Sequence, residues 1–175
     1  MEPARQRPAA PRASTQRGAV ARLRSRTGRA RSRRAVSCGG IVIRQSDAGP
    51  QLLLGKRRRE GNGATWSLPK GTPAAAEAPE ETALREVAEE TGLQVRIVAP
   101  VGAIEYFFSQ KGARIHKTVH YWLMEATGGS IDQHDHEFDD VSWFSLPAAR
   151  EMMTFPTERQ IVEQALAVAG FATDE

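Results

Sequence analysis

Glu86, Glu89 and Glu90 are spaced so that an α-helix, turning about 100° per residue, would gather all three carboxylates within roughly a 100° arc. Like charges that close repel by about a few tenths of a kcal/mol per pair, so their presence needs a reason. Two are available. The trio is either a solvated acidic face or a holder for a hard divalent cation, which takes oxygen ligands and is commonly shared with substrate phosphates. A cation so held neutralises phosphate oxygens and activates water, the chemistry of phosphoryl transfer and hydrolysis. His134 and His136 lie in a loop, and no His, Cys and Asp grouping has transition-metal spacing.

A helix must carry the three glutamates. Pro79 suits a first helical position, Glu80 and Glu81 suit the positive end of the helix dipole, and Gly92 suits the residue past the end. A helix is therefore expected over 79–91, with Leu84, Val87, Ala88 and Thr91 on its buried face. Upstream, strands are expected over 36–43 and 51–56 around a turn at 47–50, and Gly39-Gly40 allows a bulge or a close backbone approach. Residues 57–63 read as a polar loop, and Trp66-Ser67-Leu68-Pro69-Lys70-Gly71 leads toward the helix.

Downstream, 94–109 reads as one long or two short strands interrupted near Pro100 and Gly102, and 114–124 pairs back antiparallel. Alternation puts Ile115, Lys117, Val119, Tyr121 and Leu123 on one face of that second strand, and Arg114, His116, Thr118, His120, Trp122 and Met124 on the other. Basic residues are few in the strands, so Arg114, His116 and Lys117 read either as a phosphate-facing rim or as a solvent-facing sheet surface. An acidic loop over 132–140, a strand over 141–144 and helices over 147–153 and 156–169 complete the chain. The last helix buries Ile161, Val162, Ala165, Leu166 and Ala169.

Residues 71–93 satisfy, at all nine specified positions, the pattern G-x(5)-E-x(7)-R-E-U-x-E-E-x-G-U with U aliphatic. With each residue type at about 5–8% of residues, a chance match is rarer than about one in a billion per starting point. The pattern resembles the signature of the Nudix hydrolases and departs from it nowhere. The resemblance implies an α/β (α+β) fold, the Nudix-type α/β/α sandwich around a mixed central sheet. It also implies hydrolysis of a nucleoside diphosphate linked to another moiety, by water attack on phosphorus, with Mg²⁺ as cofactor and Mn²⁺ as the alternative. Glu86, Glu89 and Glu90 would be the metal-binding and water-activating carboxylates, beside the backbone of Gly71. Glu77 and Arg85 would form a supporting salt bridge. Lys70 would approach substrate phosphate, and Tyr106, Arg114, His116 and Lys117 are the remaining candidates for substrate binding.

Glu137-Phe138-Asp139-Asp140-Val141-Ser142-Trp143 resembles the run that carries one further catalytic acid in relatives, which would give Glu137 that role; the alternative is a solvated charge. The lead-in over 66–71 and the strand over 114–123 are similar to those of diadenosine polyphosphate hydrolases and of actinobacterial mutator-phosphohydrolase-like proteins. A dinucleoside polyphosphate such as diadenosine tetraphosphate is thus the leading substrate expected. Nucleoside triphosphates, oxidised or ordinary, and RNA 5′-cap pyrophosphate are the alternatives. A non-enzymatic ligand sensor is disfavoured, because the signature carboxylates are complete.

Charge is unevenly spread. Residues 1–35 hold eleven Arg and one acid, a net +10, whereas the remainder of the 175 residues carries −7. So basic and apolar-poor a stretch cannot bury enough surface to order itself, so 1–35 is expected to be a disordered tail preceding a domain over 36–175. The tail reads as a spacer or a weak contact for RNA and other polyanions, with a targeting peptide or an over-extended translation start as alternatives. The single cysteine, Cys38, rules out an intrachain disulfide and fits a reducing, cytoplasmic location. No run approaches 18 apolar residues, so no membrane is expected. Monomer and homodimer both remain open.

Overall fold

The computed structural model describes residues 32–61 and 63–171, so the Arg-rich segment over 1–31 lies outside the described residues. In order come β1 (Ser32–Ser46), β2 (Gly49–Arg58), β3 (Ala64–Ser67), β4 (Lys70–Gly71), α1 (Pro79–Thr91), β5 (Leu93–Gln110) and β6 (Ala113–Gly129). A 3₁₀ turn at Ile131–Gln133, β7 (Asp140–Ser145), α2 (Leu146–Met152) and α3 (Pro156–Val168) follow.

Continuous apolar runs make the middle of the sheet, as they must where both faces are covered. Ile41, Ile43, Leu52 and Leu54 point into one core with Ile161, Val162, Ala165 and Leu166 of α3. Val42 and Leu53, one residue out of step, point into the other core with Ala83 and Val87 of α1. Helices therefore cover both faces of a seven-stranded sheet with strand order β3-β2-β1-β6-β5, β4 pairing with β1 and β7 with β2. The β1–β6 ladder is parallel and the others antiparallel, which makes the sheet mixed, as expected. Among the described residues, no helix is long and apolar enough to cross a membrane.

Four expectations are corrected. The first strand starts at Ser32, so residues 32–35 belong to the sheet: β6 runs far enough to pair Ser32 with Arg114 and Arg34 with His116. The strand through Pro100 is unbroken. β5 lies at the sheet edge, where proline is tolerated, and absorbs Pro100 and Gly102 in register shifts against β6. The polar loop begins two residues later than expected, since Arg57 and Arg58 extend β2 and pair with Thr65 and Ala64 of β3.

The buried face of α1 is also rotated from the expected one. Thr82, Ala83, Val87, Glu90 and Thr91 are buried whereas Ala88 is exposed. Glu90 faces β2 and β4, where Arg57 and the Lys70 N–H meet its carboxyl. The loop after β6 holds the C-terminal end of α1, the Asp135 N–H donating to Glu89 O at 3.0 Å and the Ser130 N–H to Gly92 O at 3.1 Å. The ends of α1 behave as its residues dictate: Glu81 accepts from the Ala78 N–H at 3.1 Å, and Gly92 closes the helix at φ 74°.

Gly39 serves a close approach and not a bulge. A Cβ there would sit 2.3 Å from Pro69 O, and the neighbouring Gly40 N–H donates to that oxygen at 3.2 Å. Glycine thus lets residues 68–71 lie against β1 beneath α1.

Candidate active site

Glu90 is the centre of the site. It is 1% exposed, yet carries a carboxylate. Arg57 at the end of β2 donates its Nη2 to Glu90 Oε1 at 2.5 Å, and the backbone N–H of Lys70 in β4 donates to Oε2 at 2.8 Å. Burial pushes the Glu90 carboxyl up to about 8, against the pull of the Arg57 charge and the Lys70 N–H. Glu86 lies one turn earlier, over Gly71: a Cβ at Gly71 would fall 1.9–2.2 Å from the Glu86 carboxyl atoms. Only glycine fits there. Desolvation raises the Glu86 carboxyl as well, despite the guanidinium of Arg85.

Arg85 ties the signature together. Its Nε and Nη2 grip Glu77 at 2.7 and 2.9 Å, and its Nη1 reaches Glu86 at 2.8 Å and the exposed Glu89 at 3.2 Å. Hydrogen bonds from Arg85 and from the Ala74 N–H hold the Glu77 carboxyl down at about 2. Glu77 and Arg85 thus clamp the loop over 72–78 onto α1.

The loop before β7 brings in Glu137. Phe138 is buried against Gly55, where a Cβ would meet its ring at 2.3 Å, and Asp139 accepts the Arg58 N–H at 2.6 Å. So anchored, Glu137 Oε2 accepts from the same Arg57 Nη2 at 2.9 Å. One guanidinium joins the signature helix to the acidic loop. Sequence reading put Arg57 in a loop and missed it. The available signal was parity, since extending the strand puts Leu53, Gly55 and Arg57 on the α1 face.

Lys70 links two buried carboxylates. Its N–H meets Glu90, and its ammonium lies 3.3 Å from Glu158 in the first turn of α3. Glu158, 2% exposed, also accepts from the Leu68 N–H at 3.0 Å and the Tyr121 hydroxyl at 3.4 Å. No sequence signal marked it, because an acid in a first helical turn reads as dipole chemistry. The three expected rim residues do not converge. Lys117 pairs across the sheet with Tyr106, on the Tyr121 face, and burial, helped by the charge of Lys70, lowers its ammonium. Arg114 and His116 point the other way, to Phe107 and Glu105.

A hard cation fits these residues. The donors are all carboxylate oxygens, and Gly71 leaves a cradle that any side chain would fill. Among the described residues, no three His, Cys, Asp or Glu side chains converge as a cage. Glu86 and Glu89 turn to Arg85, and Glu90 and Glu137 turn to Arg57, each carboxylate meeting a positive charge. Glu86, Glu89 and Glu90 would hold a divalent cation once they leave those guanidinium groups.

A pH effect follows for the metal-free protein. Folded, Glu90 keeps its proton to about 8; unfolded, it loses it near 4.5. The folded state therefore binds more protons between those values, and its stability falls as pH rises through them. Glu77, held down at about 2, loses its contribution only below that window. The Tm of metal-free protein should drop between about pH 5 and pH 8.5, and excess Mg²⁺ should raise Tm most at the upper end. A metal-free Tm that stays flat or rises over that interval would remove the assignment.

The family model described as NUDIX domain matches residues 33–165. A Mycobacterium tuberculosis protein that carries the mutator name MutT4 is 40% identical over 154 residues, covering 82% of this chain and 61% of that protein. An RNA pyrophosphohydrolase of Azorhizobium caulinodans is 31% identical over 151 residues, covering 73% and 87%. In the first two curated relatives, the match spans 61% and 29% of their own length. Among solved structures, a Caenorhabditis elegans Ap4A hydrolase complex superposes with TM-score 0.63 at 24% identity, over 78% of this chain and 99% of that one. A Nitrosomonas europaea NUDIX hydrolase gives TM-score 0.63 at 20% identity, over 78% and 90%. At these identities the two structures speak for the fold alone.

Proposed function

The chain belongs to the NUDIX family, and from that premise we propose that it is a divalent-cation-dependent hydrolase of a nucleoside polyphosphate. The observation that carries this is Glu90, a carboxylate removed from water yet shared between α1, β2 and β4, with Glu86 one turn away on a bare glycine. An acid buried at such cost, beside two others, is the arrangement a cation requires.

The reaction is attack of water on phosphorus. An O–P bond forms, the P–O–P bridge breaks, and the bridging oxygen leaves with the departing phosphate. Bound at Glu86, Glu89 and Glu90, Mg²⁺ or Mn²⁺ supplies charge neutralisation and a more acidic water. Glu137, half exposed and held above Glu90 by Arg57, takes the water proton. Lys70, fixed by Glu158, meets the phosphate chain, and Lys117 and Tyr106 on the same face extend the binding surface.

The leading substrate is a dinucleoside polyphosphate such as diadenosine tetraphosphate. Lys70 and Lys117 support it by offering two cations along one face, suited to a long phosphate chain. The similarity to MutT4 and to an RNA pyrophosphohydrolase keeps nucleoside triphosphates and 5′-triphosphorylated or capped RNA as second readings. A panel of these compounds, hydrolysed in ¹⁸O water and read by mass spectrometry, identifies both product and attacked phosphorus. Diadenosine tetraphosphate should be cleaved fastest, with ¹⁸O in one nucleotide product. Faster turnover of a mononucleoside triphosphate would replace the leading substrate, and no hydrolysis of any compound with Mg²⁺ or Mn²⁺ would overturn the enzyme reading.

A further inference from the structure

We propose that Glu158, in the first turn of α3, is a positioning residue for phosphate binding: it holds the Lys70 ammonium where a phosphate chain meets it. The proposal rests on the hydrolytic reading for its ligand.

The packing of α3 does not by itself call for a charge here. Ile161 and Val162, one turn on, are buried in an apolar cluster, and Glu158 is buried as deeply as they are. An acid in a first helical turn gains its small dipole benefit while facing water. A buried ion pair, moreover, is often matched or bettered in stability by apolar residues of similar volume. What distinguishes Glu158 is the set of groups it holds.

Its Oε2 accepts from the Leu68 N–H at 3.0 Å, and its Oε1 receives the Lys70 ammonium at 3.3 Å and the Tyr121 hydroxyl at 3.4 Å. From the other side, Glu90 accepts the Lys70 N–H at 2.8 Å, and the Gly40 N–H donates to Pro69 O at 3.2 Å. Residues 68–70 are thus pinned from α3, from α1 and from β1. One carboxylate fixes the main chain of Lys70 and another fixes its side chain. An ammonium carries three N–H donors, so the contact with Glu158 leaves donors for phosphate oxygens. The Lys70 side chain is 23% exposed, enough for a ligand to reach it. Lys117 stands close by, since burial, helped by the charge of Lys70, lowers its ammonium. Glu158 offsets the repulsion between these two cations. It also spares the incoming phosphate chain the cost of ordering a long, flexible side chain.

Glu158→Gln isolates the charge. The amide oxygen still accepts from Leu68, and the Tyr121 hydroxyl turns to accept from the new NH2. The ammonium, a donor only, loses its partner and turns to water, so no charge is left buried. Titration calorimetry of the full chain with imidodiphosphate and Mg²⁺ reads the effect without turnover, because the P–N–P bridge of the probe resists hydrolysis. Glu158→Gln should stay folded, bind Mg²⁺ like the parent chain and bind the probe about tenfold more weakly. In a Lys70→Gln chain the same change should add nothing, as expected of a residue that acts through Lys70. Tyr121→Phe disturbs the same buried group but leaves the ammonium paired, and should bind the probe like the parent. With a nucleotide that is hydrolysed, Glu158→Gln should raise KM about tenfold and leave kcat nearly unchanged. Parental affinity in Glu158→Gln, a loss that persists in the Lys70→Gln chain, or an equal loss in Tyr121→Phe would overturn the proposal. So would an unfolded Glu158→Gln, or a parent chain that does not bind the probe. Binding of the probe without hydrolysis of any nucleotide would overturn the hydrolytic reading and leave the role of Glu158 standing.

Discussion

Glu90→Gln should lower turnover of the best nucleotide substrate by about a thousandfold or more, roughly 4 kcal/mol of barrier, while the protein stays folded. The amide matches the carboxylate in size and its oxygen keeps an acceptor for the Lys70 N–H, while its NH2 turns to Arg57, whose guanidinium keeps Glu137 as an acceptor. What it removes is the negative charge that a cation needs. Burial already disfavours that charge in the metal-free protein, so Tm without metal should be unchanged or slightly higher. The rise in Tm on adding Mg²⁺ should shrink or vanish, which separates a lost ligand from a lost fold. Turnover close to that of the parent chain at saturating Mg²⁺ would show that Glu90 holds no cation.

Glu137→Gln should cut turnover at least about tenfold, or roughly 1.4 kcal/mol of barrier, with little change in Tm. The carboxylate is half exposed and meets the part-exposed Arg57, so its loss leaves no buried polar group behind. Two other acids provide the contrast. Glu125 pairs with Arg96 on β5, and Asp132 accepts from Ser130 in the 3₁₀ turn; neither is joined to Glu90 through Arg57. Glu125→Gln and Asp132→Asn should therefore leave turnover within about twofold. Small, equal effects from all three would mean that the acidic loop is only solvated and that Glu137 takes no proton.

Much of this molecule was decided locally, and that part was legible in the residues. Pro79, Glu81 and Gly92 set the limits of α1 because caps act within one turn. The apolar runs around residues 41–43 and 52–54 read as strands, and in the structure their two-residue alternation feeds both cores. The pattern from Gly71 to Leu93 resembled the family signature, and that resemblance implied the Glu77–Arg85 salt bridge that the structure contains. What the residues could not show was which charges meet across the fold. Arg57 reaches Glu90 over 33 positions and Glu137 over 80, and Lys70 reaches Glu158 over 88. Those pairings depend on β2 continuing past its apolar run, on Phe138 docking at Gly55, and on α3 packing against the opposite face of the sheet. Glu90 itself was placed on the helix side opposite the apolar one, and it is buried, because Arg57 of β2 and the Lys70 N–H of β4 meet its carboxyl there. Local propensity sees no partner across the fold, and only the closed tertiary structure brings a guanidinium and two carboxylates from three separate elements to one point.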